Sequence, residues 1–279
     1  MPLTELMNYF NDQLQTQART KSLPKTGFFK ADNSYWGRFG NLIFGSRFHA
    51  IHTFADDALL GYNSDLLVRS ATGNSLNIDS IFNSLDSTDQ ITHLDRLVRT
   101  LHSLNYLQKF DGRKDLLSLQ VQPRHIISVV SDHGKTFEKI LSDCGLGPER
   151  VLLHTRLLDM ATLPHFQQAL ASYRQRGYKI GIHLSEAGDL DLLLTLGLTP
   201  DIIFADHPAL TKLLVDAPLP EVFDPSLRIL IAKKPSIDAH EIDAQVIDAQ
   251  GINKEIRSAI DGYLFNTDDI LVLPQSAIS

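Results

Sequence analysis

The chain of 279 residues contains one cysteine, Cys144, and therefore no pair that could form a disulfide within it. A disulfide framework and a thiolate metal cluster are both excluded, which is typical of proteins in a reducing compartment. Basic residues are also in deficit, since 26 Lys and Arg stand against 33 Asp and Glu and give a net charge of −7. Because nucleic-acid binding needs a basic patch and no basic run occurs, we expect no nucleic-acid partner.

Long apolar runs are missing as well. The chain begins Met-Pro-Leu-Thr-Glu, without the basic start and apolar run of a secretory signal, and no stretch is apolar over membrane-spanning length. The hydrophobic share of 43% and the charged share of 21% are ordinary for a globular protein. We therefore expect a cytoplasmic protein that does not associate with membranes.

No glycine-rich phosphate-binding fingerprint follows any predicted strand, which weakens the case for an open nucleotide-binding sheet. The middle of the chain instead repeats a unit of helix, glycine and strand. The three units are helix 133–144, Gly145 and strand 151–155; helix 164–176, Gly177 and strand 178–184; and helix 188–196, Gly197 and strand 201–205. Two further strands, 227–232 and 260–265, flank a helical stretch within 238–258. Such repeats predict parallel strands, in either an open sheet or a closed barrel.

The N-terminal part follows a different pattern. Residues 4–20 place Leu6, Met7, Phe10 and Leu14 at helical spacing, which predicts an amphipathic helix. Residues 21–45 are rich in glycine and aromatics and predict an irregular covering segment. We therefore divide the chain into an N-terminal helix and covering segment, 1–45, and a barrel domain, 46–279.

Several motifs from residue 48 onward resemble those of the EAL-type cyclic-di-GMP phosphodiesterases. Phe48-His49-Ala50-Ile51 leads through a turn to Leu59-Leu60-Gly61-Tyr62, which is similar to the family's first strand and the Gly-Tyr before its Glu-Ala-Leu signature. The signature glutamate falls on Asn63 without a gap. With two extra residues it falls on Asp65, and the family arginine then falls on Arg69. Both registers stay open.

Later segments keep the family's order and spacing over residues 48–265. They are Leu119–Arg124, Leu146–Leu153, Gly177–Ile182, Pro200–Asp206, Ile231–Lys234 and Asp261–Phe265. The resemblance implies a bacterial protein with the family's modified TIM-like (β/α)8 barrel, an α/β fold, preceded here by an N-terminal helical extension. It also implies that residues at the strand ends gather at one face of the barrel.

The positions that carry the family's two-metal chemistry are replaced. Carboxylates give way to His154 and to the pair His183-Leu184, the lysine gives way to Phe204, and the late glutamate gives way to Lys233. Such hydrolysis needs hard oxygen ligands for Mg²⁺ or Mn²⁺, and an added cation repels them. We therefore expect a catalytically inactive regulatory or interaction protein of bacterial signalling, with no cofactor and no metal. Its candidate ligand pocket, the former active site, comprises Asn63, Asp65, Arg69, Gln120, Arg124, His154, His183, Asp206, Lys233 and Asp261.

Two alternatives remain. The first is a divergent metal-dependent phosphodiesterase in which His154 and His183 bind a late divalent metal; hydrogen-bonded histidines left after relaxed selection explain both residues more simply. The second is a non-hydrolysing cyclic-di-GMP receptor that uses Arg69 and Arg124 on phosphates, although barrel-end salt bridges explain both arginines more simply. We expect weak or absent cyclic-di-GMP binding. A protein partner or a second copy of the chain is expected instead, through residues 4–20 unless that apolar stripe packs on its own barrel.

Overall fold

A computed structural model describes residues 2–53, 58–110, 112–128, 135–157, 163–195, 197–205, 228–232 and 262–264. The helices are α1 (Leu3–Lys21), α2 (Ile78–Ser84), α3 (Thr88–Lys109), α4 (Pro123–Ser128), α5 (Lys135–Asp143), α6 (Leu163–Gln175) and α7 (Ala187–Thr195). The strands are β1 (Thr26–Ala31), β2 (Ser34–Phe39), β3 (Leu42–Thr53), β4 (Leu59–Ser70), β5 (Leu116–Gln120), β6 (Val151–Arg156), β7 (Lys179–Leu184), β8 (Ile202–Ala205), β9 (Arg228–Ala232) and β10 (Gly262–Leu264).

Eight of these strands pair in a ring. Strands β4 to β10 run parallel to one another in chain order. Strand β3 pairs antiparallel with both β4 and β10, so the pairings return to the strand where they began. The fold is therefore α/β and of the TIM-like barrel class, modified by one strand that runs against the other seven.

Both faces of the strands are apolar, as expected for parallel strands covered by helices. Leu117, Leu153 and Ile203 belong to the larger core cluster, which also contains side chains of the helices. The alternate residues Leu116 and Leu152 join Ile51, Ile202 and Phe204 in a separate cluster. Strand alternation places this second cluster inside the ring.

The predicted units of helix, glycine and strand are confirmed. Gly145, Gly177 and Gly197 follow α5, α6 and α7 with φ of 73°, 88° and 59°, the left-handed conformation that a glycine cap adopts. The five predicted strands that accompany these units lie within two residues of β6, β7, β8, β9 and β10. The helical stretch expected within 238–258 lies outside the described residues.

The predicted N-terminal helix is also confirmed, and it packs on its own chain. Leu6, Met7 and Phe10 are buried, and the partly buried Leu14 packs against the same cluster, which also contains side chains of α3. The apolar stripe is therefore covered within the monomer. A partner that bound residues 4–20 would have to use other side chains of this helix.

The expectation of an irregular segment over 21–45 is wrong. Strands β1, β2 and the start of β3 form an antiparallel meander. Asp32 and Asn33 connect β1 to β2 with φ of 48° and 60°, as a two-residue type I′ turn requires. Position 45, within β3, requires glycine because a Cβ there would come 2.7 Å from the Trp36 ring. β3 also crosses the proposed division at 45/46, so that division into two parts stays a prediction.

Two asparagines complete the meander where strand pairing ends. Asn105 of α3 accepts a hydrogen bond from the Tyr35 N–H and donates one to the Tyr35 carbonyl, both at 2.8 Å. Asn11 of α1 makes the same pair of bonds with Phe28, at 2.6 and 2.9 Å. Each amide thus takes the place of a neighbouring strand, because an unpaired buried backbone group is costly.

The sequence contains no apolar stretch of membrane-spanning length, and the helices can be compared with this expectation. Within the described part of the chain, no helix combines the length and the apolar character that crossing a bilayer requires.

Candidate ligand site at the barrel mouth

The carboxyl ends of adjacent parallel strands bring several predicted site residues together. Asn63 of β4 is in register with Ser118 of β5, and Gln120 of β5 is in register with His154 of β6. His183 of β7 is in register with Phe204 of β8. The expected gathering of Asn63, Gln120, His154 and His183 at one end of the ring is therefore observed, and we call this end the barrel mouth.

Three rings from consecutive strands lie in mutual contact at the mouth. His183 stacks on Phe204 with 4.4 Å between ring centroids and 9° between planes. His154 lies 4.8 Å from the His183 ring and 5.0 Å from the Phe204 ring. We call His154, His183 and Phe204 the three-ring cluster. Its packing needs Gly181, because a Cβ there would lie 2.8 Å from both the His154 Cβ and the Phe204 Cε2.

The two histidines of the cluster are bonded to each other. His183 Nε2 and His154 Nδ1 are 2.8 Å apart, so one of these nitrogens donates and the other accepts. Burial, and then the positive charges that His183, His102 and Arg156 can carry, hold the pKa of His154 well below its usual value. His154 is therefore a neutral imidazole at physiological pH. Its Nε2 is buried, and no residue in the described part of the chain forms a hydrogen bond with it.

The two positions considered for the signature glutamate lie on the same side of β4. Asn63 Oδ1 accepts a hydrogen bond of 2.9 Å from Ser118 Oγ. Asp65 is largely exposed and lies 3.8 Å from His49 Nε2. Desolvation raises the pKa of Asp65, but the charges of the neighbouring His49 and Arg47 outweigh it and lower the pKa overall. Asp65 is therefore an ionised carboxylate at the mouth.

Neither predicted phosphate-binding arginine faces the three-ring cluster. Arg69 Nη1 donates to the Gly73 carbonyl at 3.2 Å, in a turn that lies about 13 Å along β4 from Asp65. Arg124 donates to the carbonyls of Phe82 and Leu85 at the end of α2, the second at 2.9 Å. Within the described residues, both guanidinium groups bind backbone carbonyl oxygens, and the simpler expectation of salt bridges stays a prediction.

Three predicted site residues, Asp206, Lys233 and Asp261, lie outside the described residues. Leu184, which the sequence placed at a ligand position beside His183, belongs to the core cluster under the helices. Strand alternation explains this correction, because only one residue of a consecutive pair can face the inside of the ring.

Sequence reasoning missed a buried ionic group behind the mouth. Asp95 of α3 pairs with Arg99 one turn later and accepts a 3.0 Å hydrogen bond from the Gln122 N–H, just beyond β5. Desolvation raises the pKa of Asp95, but the charges of Arg99 and His125 lower it overall. An acid and an arginine at i, i+4 within an otherwise apolar helix face was the available signal. Asp95 thereby fixes the chain segment that follows Gln120.

The described residues do not fit the pair of divalent metals that the family resemblance implies. Asp65 is the only carboxylate among the described candidate residues, and Phe204 and His183 occupy neighbouring positions with packed rings. Within the described ranges, no group of three or more His, Cys, Asp and Glu side chains is placed to hold a metal ion. Mg²⁺ and Mn²⁺ require oxygen ligands that this set does not supply.

Comparison with known proteins connects this geometry to one kind of structure. No protein-family model matches the sequence. No curated protein matches it either. Solved structures of EAL-domain proteins do share the fold. The YkuI protein of Bacillus subtilis, with an EAL domain in complex with substrate c-di-GMP and calcium, aligns with a TM-score of 0.56 and 17% identity over 79% of this chain and 53% of that one.

Two further structures cover more of their own length. An EAL domain protein of Listeria monocytogenes aligns with a TM-score of 0.57 and 12% identity over 80% of this chain and 85% of its own. The FimX EAL domain of Xanthomonas citri, in complex with c-diGMP, gives a TM-score of 0.53 and 17% identity over 80% and 85%. This chain spans about half of YkuI, and at these identities the likeness concerns the fold.

Proposed function

We propose that this chain is a non-hydrolysing EAL-like protein that acts in bacterial signalling by regulation or binding. The observation that supports this proposal is the three-ring cluster. Two imidazoles and a phenyl ring occupy neighbouring strand ends at the mouth, where the resemblance implies carboxylates and a lysine. The likeness to solved structures concerns the fold, and the role of this chain is what we propose.

The chemistry of the cluster argues against metal-assisted hydrolysis. A two-metal mechanism depends on anionic oxygen ligands that offset the charge of the cations and lower the pKa of the attacking water. His154 and His183 are bonded to each other at 2.8 Å, and Phe204 carries no ligand atom. Losing one such role typically costs several kcal/mol of transition-state stabilisation, and here several roles are lost together.

A hydrolysis assay tests the proposal. Purified protein is incubated with cyclic-di-GMP and Mg²⁺ or Mn²⁺, and the linear product is measured with and without chelator. We expect no turnover above buffer. The variant H154E serves as a matched control, because restoring one carboxylate beside Phe204 should not restore activity. Turnover that the chelator abolishes would contradict the proposal.

The receptor alternative is weaker on the same geometry. Arg69 and Arg124, the donors it requires, already bind backbone carbonyl oxygens, and releasing them would cost those bonds. We therefore expect titration with cyclic-di-GMP at physiological salt to show weak binding or none. Micromolar affinity that R69A abolishes would place the receptor role first.

One observation favours a second candidate, a late divalent metal on the histidines. His154 Nε2 is buried without a partner, and an imidazole nitrogen of this kind can bind Zn²⁺. Elemental analysis of protein purified without a His tag tests this candidate. Zinc at one equivalent in the native chain and absent from H154L would support it. Metal-free native protein would leave the histidines as packing residues.

A further inference from the structure

A cleft lies on the outside of the fold, away from the barrel mouth. Its walls come from α1, β1, α3 and α5, and it encloses about 500 Å³ of space, counting its open side. Phe10, Leu14, Phe28 and Ile140 give it apolar walls. Apolar walls combined with a few polar groups are typical of sites for small molecules.

One cation in this cleft has no ion-pair partner among the described residues. Arg96 of α3 is half-buried, and among the residues that the structure describes its guanidinium has no hydrogen-bond or ion-pair partner. Burial, followed by the neighbouring Arg99 guanidinium, lowers the pKa of Arg96 against the opposing charge of Asp95. The guanidinium still carries its charge at neutral pH, because an arginine cannot be deprotonated there. A half-buried cation without a partner is costly, and an anion beside it would relieve that cost.

The second cation of the cleft is already neutralised. Lys139 Nζ lies 3.0 Å from an Asp143 carboxylate oxygen one turn later, and its side chain is 65% exposed. The cleft therefore offers one uncompensated positive charge. A monoanion matches that charge, whereas a phosphate dianion would leave a negative charge unpaired. The planar guanidinium fork also fits a carboxylate in bidentate geometry.

We propose that this cleft binds a small amphipathic monocarboxylate, whose carboxylate pairs with Arg96 and whose apolar chain lies along Phe10, Leu14, Phe28 and Ile140. This site is separate from the barrel mouth and does not depend on the role proposed for the mouth. The ligand class follows from a cation at an apolar wall that no described side chain pairs.

Calorimetric titration of the full-length chain with sodium octanoate tests the proposal. Octan-1-ol supplies the same chain without the charge, and acetate supplies the charge without the chain. We expect octanoate to bind at least about tenfold more tightly than either, because both parts of the cleft contribute. Equal binding of octanoate and octan-1-ol would show simple hydrophobic adsorption and would overturn the proposal, as would no binding of octanoate.

Two variants and one matched control locate the site. R96M keeps the length of the side chain and removes the charge, and we expect it to weaken octanoate binding by about tenfold or more. Q17E adds a carboxylate to the rim of the same cleft, changes no core residue, and should weaken binding in the same direction. K179M removes an exposed cation that does not line the cleft, so its affinity should stay within about threefold of the native value. If neither R96M nor Q17E weakens binding, Arg96 is not the anchor and the proposal is wrong.

Discussion

Buried polar side chains occur both in the N-terminal layer, formed by α1, β1 and β2 on α3, and at the barrel mouth, and the two regions differ in how these groups are bonded. In the N-terminal layer, the Asn105 amide bonds both backbone groups of Tyr35. At the mouth, His154 bonds His183 through one nitrogen, and its other nitrogen is buried without a partner among the residues that the structure describes. A fully bonded amide stabilises the fold, whereas an unbonded nitrogen costs free energy. The comparison indicates that Asn105 serves folding and that His154 does not.

The largest expected effect is in the N-terminal layer. N105A leaves the N–H and carbonyl of Tyr35 without a partner in a buried region, and we expect the free energy of unfolding to fall by about 2–4 kcal/mol. Urea unfolding measures this change. N11A is the matched control, because Asn11 makes the same two bonds to Phe28 from a partly buried position, where water can replace them at a cost of about 1 kcal/mol. Equal losses in the two variants would contradict this interpretation.

Acid should weaken the fold through two buried histidines of α3. Burial, with Arg96 and Lys21, lowers the pKa of His93 in the N-terminal layer to about 4, and burial lowers that of His102 to about 4 against the opposing charge of Asp65. In the unfolded chain both titrate near the ordinary 6.5, so the unfolded state binds more protons between these values. Stability is therefore complete above the unfolded pKa and is lost as pH falls toward 4, on the order of 2–3 kcal/mol for each histidine.

Urea midpoints between pH 7 and pH 5 measure this loss. H102Q retains a side chain that can bond Ser46 but removes one titrating group, so its stability should depend less steeply on pH than that of the native chain. A native protein whose midpoint does not change across this range would contradict the assignment of both histidines as neutral in the folded state.

A smaller effect tests the packing of the three-ring cluster. G181A forces a Cβ to within 2.8 Å of both His154 and Phe204, and overpacking of this kind costs about 1–3 kcal/mol. Combining it with F204L, which removes the ring edge, should cost less than the sum of the single changes. G188A is the matched control, since a Cβ there comes no closer than 4.0 Å to Glu186 and should be tolerated. Additive losses in the double variant would mean that the rings do not crowd Gly181.

The smallest expected effect sharpens the comparison most. H154L removes a buried nitrogen that no described residue bonds, which should raise the free energy of unfolding. It also removes the bond to His183, which should lower it. We expect the two effects to cancel to within about 1 kcal/mol. Thermal and urea unfolding of H154L measure this. A loss comparable to that of N105A would show that His154 stabilises the fold as Asn105 does.

Much of the fold could be predicted because helix-capping glycines and short apolar runs are local signals. Gly145, Gly177 and Gly197 locate the ends of α5, α6 and α7. The N-terminal meander was missed, although Asp32-Asn33 between two aromatic-rich runs is a hairpin signal. Glycines in this segment favour a loop from the sequence alone, whereas the Trp36 ring of the neighbouring strand requires Gly45.

Some features of the candidate site could be predicted from the sequence, and others could not. The register of parallel strands brings His154, His183 and Phe204 together, so their proximity could be predicted from strand order. The roles of Arg69 and Arg124 could not, because carbonyl oxygens of a turn and of a helix end reach them only in the folded chain. The i, i+4 pair Asp95 and Arg99 has a local signal, but its burial depends on packing between helices.

Anomalous diffraction from crystals grown with Mn²⁺ tests the central claim most directly, namely that packed rings replace metal ligands at the barrel mouth. We predict that His154, His183 and Phe204 stay in ring contact and that no manganese peak lies within bonding distance of the two imidazoles. A manganese ion bound to His154 or His183, with the 2.8 Å bond between them broken, would contradict the account.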